Sequence, residues 1–371
     1  MKRLFMGKFL YIVLTICVAT ISALASCAPL HQKETGLFIA VEWNLQALFD
    51  GKEHGNEYRE YRESEDWAAV KYTARLVSVS QAVSKMLVEK PSSKTARPDL
   101  IGFIEVENAA VLEDLANRCF PKNRTWTAFA SLPSSPLGIG FISRYPLKDI
   151  KAHSIDINNE TAPRPVLEVR VEPDGKPLVF LLCHWKSKLG GEKATEASRR
   201  ASAKVVQRRL LELTESEEEI PVIIMGDLNE NHDEFYRRGY LCALLPDDPK
   251  AAALAKNDQN YLVLSREKPP KAASFPRNTP ALYSPWYEET ENGSYHYKDE
   301  WETIDHMLLS EALFDGSGWE FKSCRTLNQV PFTTSSGKPD SYIPRSGRGL
   351  SDHLPLMLYI ERKDTEELIK N

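Results

Sequence analysis

Short apolar runs separated by polar stretches set the limits on how this chain can fold. Leu100–Val106, Gly138–Ser143, Val166–Val171, 178–183 and 222–225 are each four to seven residues long and mostly rich in Val, Ile, Leu or Phe. Such runs read as buried strands. A further run at 37–41 precedes them, and runs at 303–309 and 354–360 follow, the last after a Ser-, Gly-, Pro- and Arg-rich loop at 333–349. Two helices interleave with the strands. Tyr72, Leu76, Val79, Val83 and Met86 recur at helical spacing between Ser64, a plausible cap, and Pro91. A second helix fits Glu192–Thr214, with Ala197, Ala201, Val205, Leu210 and Leu213 on one side. The expected class is α/β (α+β). No repeat and no long linker divides the chain, and 371 residues at 42% hydrophobic composition suffice for a sizeable core.

Polar residues interrupt these runs at their ends, where sites are usually built. Asn44, Glu105, His184 and Asp227 follow their strands, whereas Asp352 and His353 precede theirs. In an all-parallel sheet the last two would lie at the opposite edge, so convergence of the set requires mixed sheets.

The N-terminus reads as an export leader. Lys2, Arg3 and Lys8 precede an apolar stretch at 9–25, which closes on Leu24-Ala25-Ser26-Cys27. That ending resembles the lipobox of bacterial lipoproteins, whose cysteine takes the diacylglyceryl group. The expected organisation is a signal peptide at 1–26, lipidation at Cys27, a tether at 27–36 and one domain at 37–371. Cleavage after Ala25 by the ordinary signal peptidase and an uncleaved anchor are the competing outcomes. Loss of the three basic residues takes the net charge from −5 to −8, which excludes a generally basic nucleic-acid coat. Cys119, Cys183, Cys242 and Cys324 stand far apart, without metal-ligand spacing, and read as small buried hydrophobes rather than a disulfide framework.

The motifs Trp43-Asn44, the run from Pro98 through Glu105 to Asn108, Ser143-Arg144-Tyr145-Pro146-Leu147, His184, Gly226-Asp227-Leu228-Asn229, Ile304-Asp305 and Ser351-Asp352-His353 occur in that order. Together they resemble the endonuclease/exonuclease/phosphatase superfamily, the group of deoxyribonuclease I, exonuclease III and the sphingomyelinases. The resemblance covers nearly all of 38–361. It implies a four-layer α/β/β/α sandwich of two mixed sheets, in agreement with the mixed-sheet requirement above.

Phosphodiester hydrolysis asks for the same residue types. A hard cation neutralises the nonbridging oxygens, and Mg²⁺, with Mn²⁺ as a substitute, needs only one or two protein oxygens. Glu105, with Asn44 beside it, is the expected metal ligand, although a lone carboxylate ending a strand would equally well cap a helix or meet an arginine. Water needs a base titrating near the working pH and a carboxylate to orient it. The resemblance assigns these roles to His353 and Asp305. It places His184 across the phosphate, Asp227 and Asn229 on the nucleophile and phosphate, Asp352 at a second metal and Arg164 against the scissile phosphate. Two departures stand out. Ile104 occupies the place of a frequent Gln, and His306 that of an aromatic residue.

The expectation is an exported, lipid-anchored, metal-dependent phosphodiesterase of the bacterial cell envelope, a nuclease on DNA or RNA being favoured. Its partners would be nucleic acid and a membrane, with no obligate protein partner. Lys186, Lys188, Lys193, Arg199, Arg200, Lys204, Arg208 and Arg209 follow His184 and would flank a phosphate path, although such a stripe is more often a solvated helix face. Tyr283, Trp286, Tyr287, Tyr295, Tyr297 and Trp301 would stack on bases, enter a lipid interface or pack in the core. The rivals are an enzyme acting on phospholipid or sphingomyelin head groups and a catalytically silent binding lipoprotein.

Overall fold

A computed structural model describes residues 36–363, apart from 87, 90–94, 122–123, 134, 158–159, 163, 215–219 and 289–291. The leader, Cys27 and the tether up to residue 35 lie outside the described residues. Among those described, no helix is long and apolar enough to cross a membrane.

The apolar runs pair into two sheets. Six strands form the first, in the order Gly318–Thr326, Leu356–Lys363, Leu37–Leu48, Leu100–Val106, Gly138–Ser143 and Trp126–Ala130. Eight form the second, in the order Leu244–Pro246, Leu262–Ser265, Ala281–Tyr283, Asp305–Leu309, Val222–Asp227, Leu178–His184, Val166–Val171 and Lys148–His153. Both are mixed. Leu37–Leu48 runs parallel to Leu100–Val106 and antiparallel to Leu356–Lys363. Val222–Asp227 runs parallel to Leu178–His184 and antiparallel to Asp305–Leu309.

Strand alternation sorts the apolar residues into layers. On the first strand Phe38 and Ala40 join Phe180, Leu182, Met225 and Leu309 between the sheets. Ile39, Val41 and Trp43 face the other way, onto Leu76 and Val79 of the helix Ala69–Val83 and Leu112 and Leu115 of the helix Ala109–Cys119. Behind the second sheet, Val206 and Leu210 of the helix Glu192–Thr214 cover Leu181 and Ile224. Helices, sheet, sheet and helix make the four-layer sandwich. Full burial of each such side chain contributes about 1.5–3 kcal/mol, so this layering dominates the stability.

Two local expectations need correction. Ser64 caps nothing: it sits in a separate helical turn, Glu63–Glu65, and the left-handed Asp66 (φ 65°) breaks the chain before the helix starts with Ala68 at its N-cap. In the run 303–309 the strand begins only at Asp305, with the Ile304 carbonyl accepting from the Leu228 amide at 2.8 Å just before it. The Gly138 and Gly140 positions reflect close packing, since a Cβ there would lie 2.5 Å from Phe129 and from Leu112.

Candidate active site

The topology carries the polar strand ends to one edge. Asn44, Glu105, His184 and Asp227 lie at or near the C-terminal ends of parallel strands. Asp305 begins a strand antiparallel to Val222–Asp227 and is registered opposite Asp227. His353 lies just before Leu356–Lys363, the antiparallel neighbour of the first strand. Antiparallel insertion thus returns the two late residues to the edge where the earlier four end.

Irregular backbone aims the side chains. The pairing register shifts between Ile104 and Val106 and between Asn44 and Leu48. Glu105 (φ 64°), Gln46 (φ 51°) and Ala47 (φ 60°) all adopt left-handed conformations there. Each costs on the order of 1–3 kcal/mol and persists only where surrounding contacts fix it. Here the Ala47 amide donates to Glu105 Oε2 at 2.8 Å. Asn108 accepts from the Val111 amide at 3.0 Å and starts the helix that follows Glu105. At Gly226 (φ 131°) a Cβ would lie 2.0 Å from the Cys183 carbonyl, so only glycine lets Asp227 and His184 sit side by side.

His353 Nδ1 lies 2.8 Å and 3.1 Å from the two Asp305 carboxylate oxygens. Asp305 is fully buried and also receives the Ser294 hydroxyl at 2.6 Å. Asp227, Asp305 and His353 bring one donor atom each within 4.8 Å of one another. Asp227 Oδ2 accepts from Asn44 Nδ2 at 3.1 Å, and its Oδ1 from the Asn229 amide at 2.9 Å. His184 Nε2 stands 3.7 Å from both Glu105 Oε1 and Asp227 Oδ2. Cys183 faces away into the core behind the second sheet. Arg164 donates to the Trp185 carbonyl at 3.1 Å, beside His184 and Lys186. The Asp352 amide donates to Gln46 Oε1 at 3.0 Å, and Asp352 Oδ1 is 3.9 Å from His353 Nε2. The expected residues therefore occupy one neighbourhood.

Burial and crowded charge shift these groups. Burial pushes Asp227 up to about 7, with the nearby Asp305 and Glu105 adding to it. It likewise raises Glu105 and Asp352, and it lowers His184 well below the usual histidine range, helped by Arg164. Burial alone would depress His353, but Asp305, Asp352 and Asp227 hold it well above the ordinary value.

Of the basic stretch after His184, only Lys186 lies beside the site, and four of the others are drawn into ion pairs within the protein. Arg199 is buried on Glu196 (2.6 Å) and Glu230 (3.0 Å), Lys188 bonds Glu234 and Glu302, Arg209 bonds Glu168, and Arg200 pairs with Asp258. These ion pairs join the long helix and its preceding loop to the second sheet and its loops. The aromatic set also divides. Tyr283 and Trp286 are core, while the half-buried Tyr295 ring lies 4.6 Å from the His353 ring.

Sequence reasoning missed three neighbours of the site: Glu42, Gln46 and Ser294. Glu42 is fully buried, and neither carboxyl oxygen has a hydrogen-bond partner. Burial first, then Asp305 and Asp227, push its pKa well above the usual range. Its one sequence signal was a carboxylate within an apolar strand, two residues before Asn44.

A family model described as Endonuclease/Exonuclease/phosphatase family matches residues 39–254. An endonuclease/exonuclease/phosphatase family protein from Bacteroides thetaiotaomicron is similar in structure at 14% identity, over 88% of this chain and 98% of that one, with a TM-score of 0.50. Truncated TDP2 from Caenorhabditis elegans is similar at 12% identity, over 88% and 97%, also at 0.50. The human nocturnin catalytic domain with bound sulfate gives 13%, 89% and 96% at 0.48. The first two likenesses, at 14% and 12% identity, speak to the fold alone. No curated protein sequence matches significantly.

Proposed function

The chain belongs to the endonuclease/exonuclease/phosphatase family, and from that premise we propose that it is a divalent-metal-dependent phosphodiesterase whose favoured substrate is DNA or RNA. The observation that supports hydrolysis is the buried Asp305–His353 pair, at 2.8 Å, on the same edge as Glu105, Asp227 and His184. A binding module has no need of a base, its orienting carboxylate and a metal-ligand set together.

The donor set suits a hard cation. Asp352 Oδ1 is buried without a hydrogen-bond partner, and Glu105 Oε1 accepts none among the described residues. Burial raises both carboxyl groups together with Asp227, and a bound cation would offset that cost of desolvation. Glu105, Asp352 and Asn44 would hold Mg²⁺ or Mn²⁺, which when bound neutralises the nonbridging phosphate oxygens.

The side chains supply the rest. Nδ1–H of His353 donates to Asp305, which leaves Nε2 free to accept a proton from water. Asp227, fixed by Asn44 and the Asn229 amide, orients that water. His184 lies across the site to meet charge developing on the phosphate. Arg164 and Lys186 place two positive charges beside His184, as an anionic ester requires.

Export and lipidation at Cys27 belong to the same proposal, supported by the charged, apolar and Leu-Ala-Ser-Cys order of the leader. Cys27→Ala should release the protein from the membrane or trap its precursor. An unmodified mature N-terminus at Ser26 in mass spectrometry would exclude the anchor. The function is tested by Mg²⁺-dependent cleavage of plasmid DNA, RNA and sphingomyelin-containing vesicles, with His353→Ala as the blank. Cleavage of nucleic acid is expected. Cleavage of vesicles alone would establish the head-group enzyme, and no cleavage of any ester the binding lipoprotein.

A further inference from the structure

The three residues Ser351, Asp352 and His353 are tied to the site in different ways. Ser351 Oγ donates to the Asn44 carbonyl at 2.6 Å and accepts from the His353 amide at 3.1 Å. His353 is held twice more, by Trp43 Nε1 on its carbonyl at 3.0 Å and by Asp305 on its ring. Asp352 stands apart. Its Oδ1 is buried without a hydrogen-bond partner, whereas its amide donates to Gln46 Oε1 at 3.0 Å. The backbone tie to Gln46 therefore sets where this carboxylate lies.

The same Gln46 side chain grips a second stretch of the preceding loop. Its Oε1 also accepts from the Tyr342 amide at 2.7 Å, and its Nε2 donates to the Tyr342 carbonyl at 3.2 Å. Both lone pairs of Oε1 are thus used. Tyr342 is a rigid reference. It is 3% exposed, its ring lies 3.7 Å from the Arg75 guanidinium carbon, and it meets the Trp67 ring edge-on. Arg75 in turn donates to the Leu45 carbonyl at 2.6 Å. Asp352 is placed against this packed cluster rather than left to the loop at 333–349.

Local backbone aims the side chain. Gln46 adopts the left-handed conformation (φ 51°), which is uncommon for a glutamine. Asn44 Oδ1 accepts the Gln46 amide at 3.0 Å, and the next amide, that of Ala47, donates to Glu105 Oε2 at 2.8 Å. One irregular turn touches Asn44 and Glu105 through its backbone and Asp352 through the Gln46 side chain. Gln46 is only half-buried, so filling a core does not account for it.

We propose that Gln46 is a positioning residue for the divalent cation: its side-chain amide holds Asp352 in a fixed relation to Asn44 and Glu105. This rests on the reading of those three residues as the metal ligands. Ser351 and His353 have ties of their own, so loss of the Gln46 amide frees Asp352 selectively and leaves the Asp305–His353 pair in place.

The test is Mn²⁺ binding by the full folded chain, followed by the electron paramagnetic resonance of the free ion, which needs no turnover. The variants are Gln46→Asn, Gln46→Met, Asp352→Asn and Gln46→Asn/Asp352→Asn. Asparagine tolerates the left-handed backbone better than glutamine does, yet its amide stops one methylene short of Asp352. Gln46→Asn should therefore fold normally by circular dichroism even if Gln46→Met does not. Groups that orient a metal ligand change affinity on the order of 10- to 100-fold, and both single variants at Gln46 should weaken Mn²⁺ by that factor at the site that Asp352→Asn also weakens. The double variant should bind as Asp352→Asn does, because Gln46 acts through that carboxylate. In cleavage, the loss should be largest at limiting Mn²⁺ and shrink towards saturation, whereas a damaged fold would cut the rate at every Mn²⁺ level. Wild-type affinity in Gln46→Asn, or a full further loss in the double variant, would overturn the proposal. Mn²⁺ binding by wild type without cleavage of any ester would remove the phosphodiesterase reading alone, with the affinities still deciding on Gln46. No Mn²⁺ binding by wild type would overturn both.

Discussion

Replacing Asp305 by asparagine removes one charge from a fully buried pair and leaves the side-chain shape intact. The bond from His353 Nδ1 is 2.8 Å long, with Asp305 at 0% and His353 at 8% side-chain exposure. A charge-assisted hydrogen bond of this kind is worth about 1.5–3 kcal/mol. At about 1.4 kcal/mol per factor of ten, losing its orienting effect alone costs roughly 10- to 150-fold in rate. An asparagine amide donating to Nδ1 would also place the remaining proton on Nε2, the wrong tautomer, and deepen the loss. The pH profile carries the sign. Only neutral imidazole accepts the proton, so the wild-type rate should rise with pH through a pKa well above the ordinary 6.5. Asp305→Asn removes the largest raising charge, so its lower rate should rise at a lower pH. Initial rates on a phosphodiester from pH 5 to 9, for wild type, both single variants and Asp305→Asn/His353→Ala, measure this. The double variant should lose far less than the product of the single losses. A ramp at the same pH in wild type and Asp305→Asn, or a multiplicative double loss, would refute the pairing.

Glu105→Gln keeps the shape and deletes the charge; rate should fall on the order of 100-fold or more and the Mg²⁺ response weaken, whereas an unchanged rate and Mg²⁺ dependence would make Glu105 structural. Glu42 is an acid raised in the folded state, so the unfolded chain gives up its proton first and stability should fall as pH climbs above about 4.5. Glu42→Gln should flatten that slope in urea midpoints between pH 5 and 8, and an identical slope would count against the unpaired carboxyl. Glu168 is the opposite case. Burial works against its charge, but hydrogen bonds from His153 and Arg209 hold it at about 2 against 4.5 unperturbed. Its contribution of roughly 3 kcal/mol is complete above pH 4.5 and lost as pH falls towards 2, so the deficit of Glu168→Gln at pH 7 should vanish near pH 2, and a deficit persisting there would refute the pairing.

The sequence by itself determined the buried strands and the long helix. Leu100–Val106 and Glu192–Thr214 run as their patterns say, because apolar length and periodicity are local properties that one environment satisfies. It also determined that Glu105, His184 and Asp227 stand at strand ends, whereas the first strand, expected over 37–41, runs past Asn44 to Leu48; the ordered motifs pointed to the four-layer sandwich. Only tertiary structure decided what those residues meet. Asn44 reaches Asp227 across 183 positions, and His353 reaches Asp305 across 48. The antiparallel pairings that bring them together are set by the whole sheet. Tertiary structure alone drew Lys188, Arg199, Arg200 and Arg209 into intramolecular ion pairs, put Tyr295 against His353 and buried Glu42 unpaired between the sheets. Charge and aromaticity are written in each residue, but the partner that uses them is supplied by distant chain packed against it. A side chain's chemistry is local, whereas its solvation and its neighbours are properties of the fold.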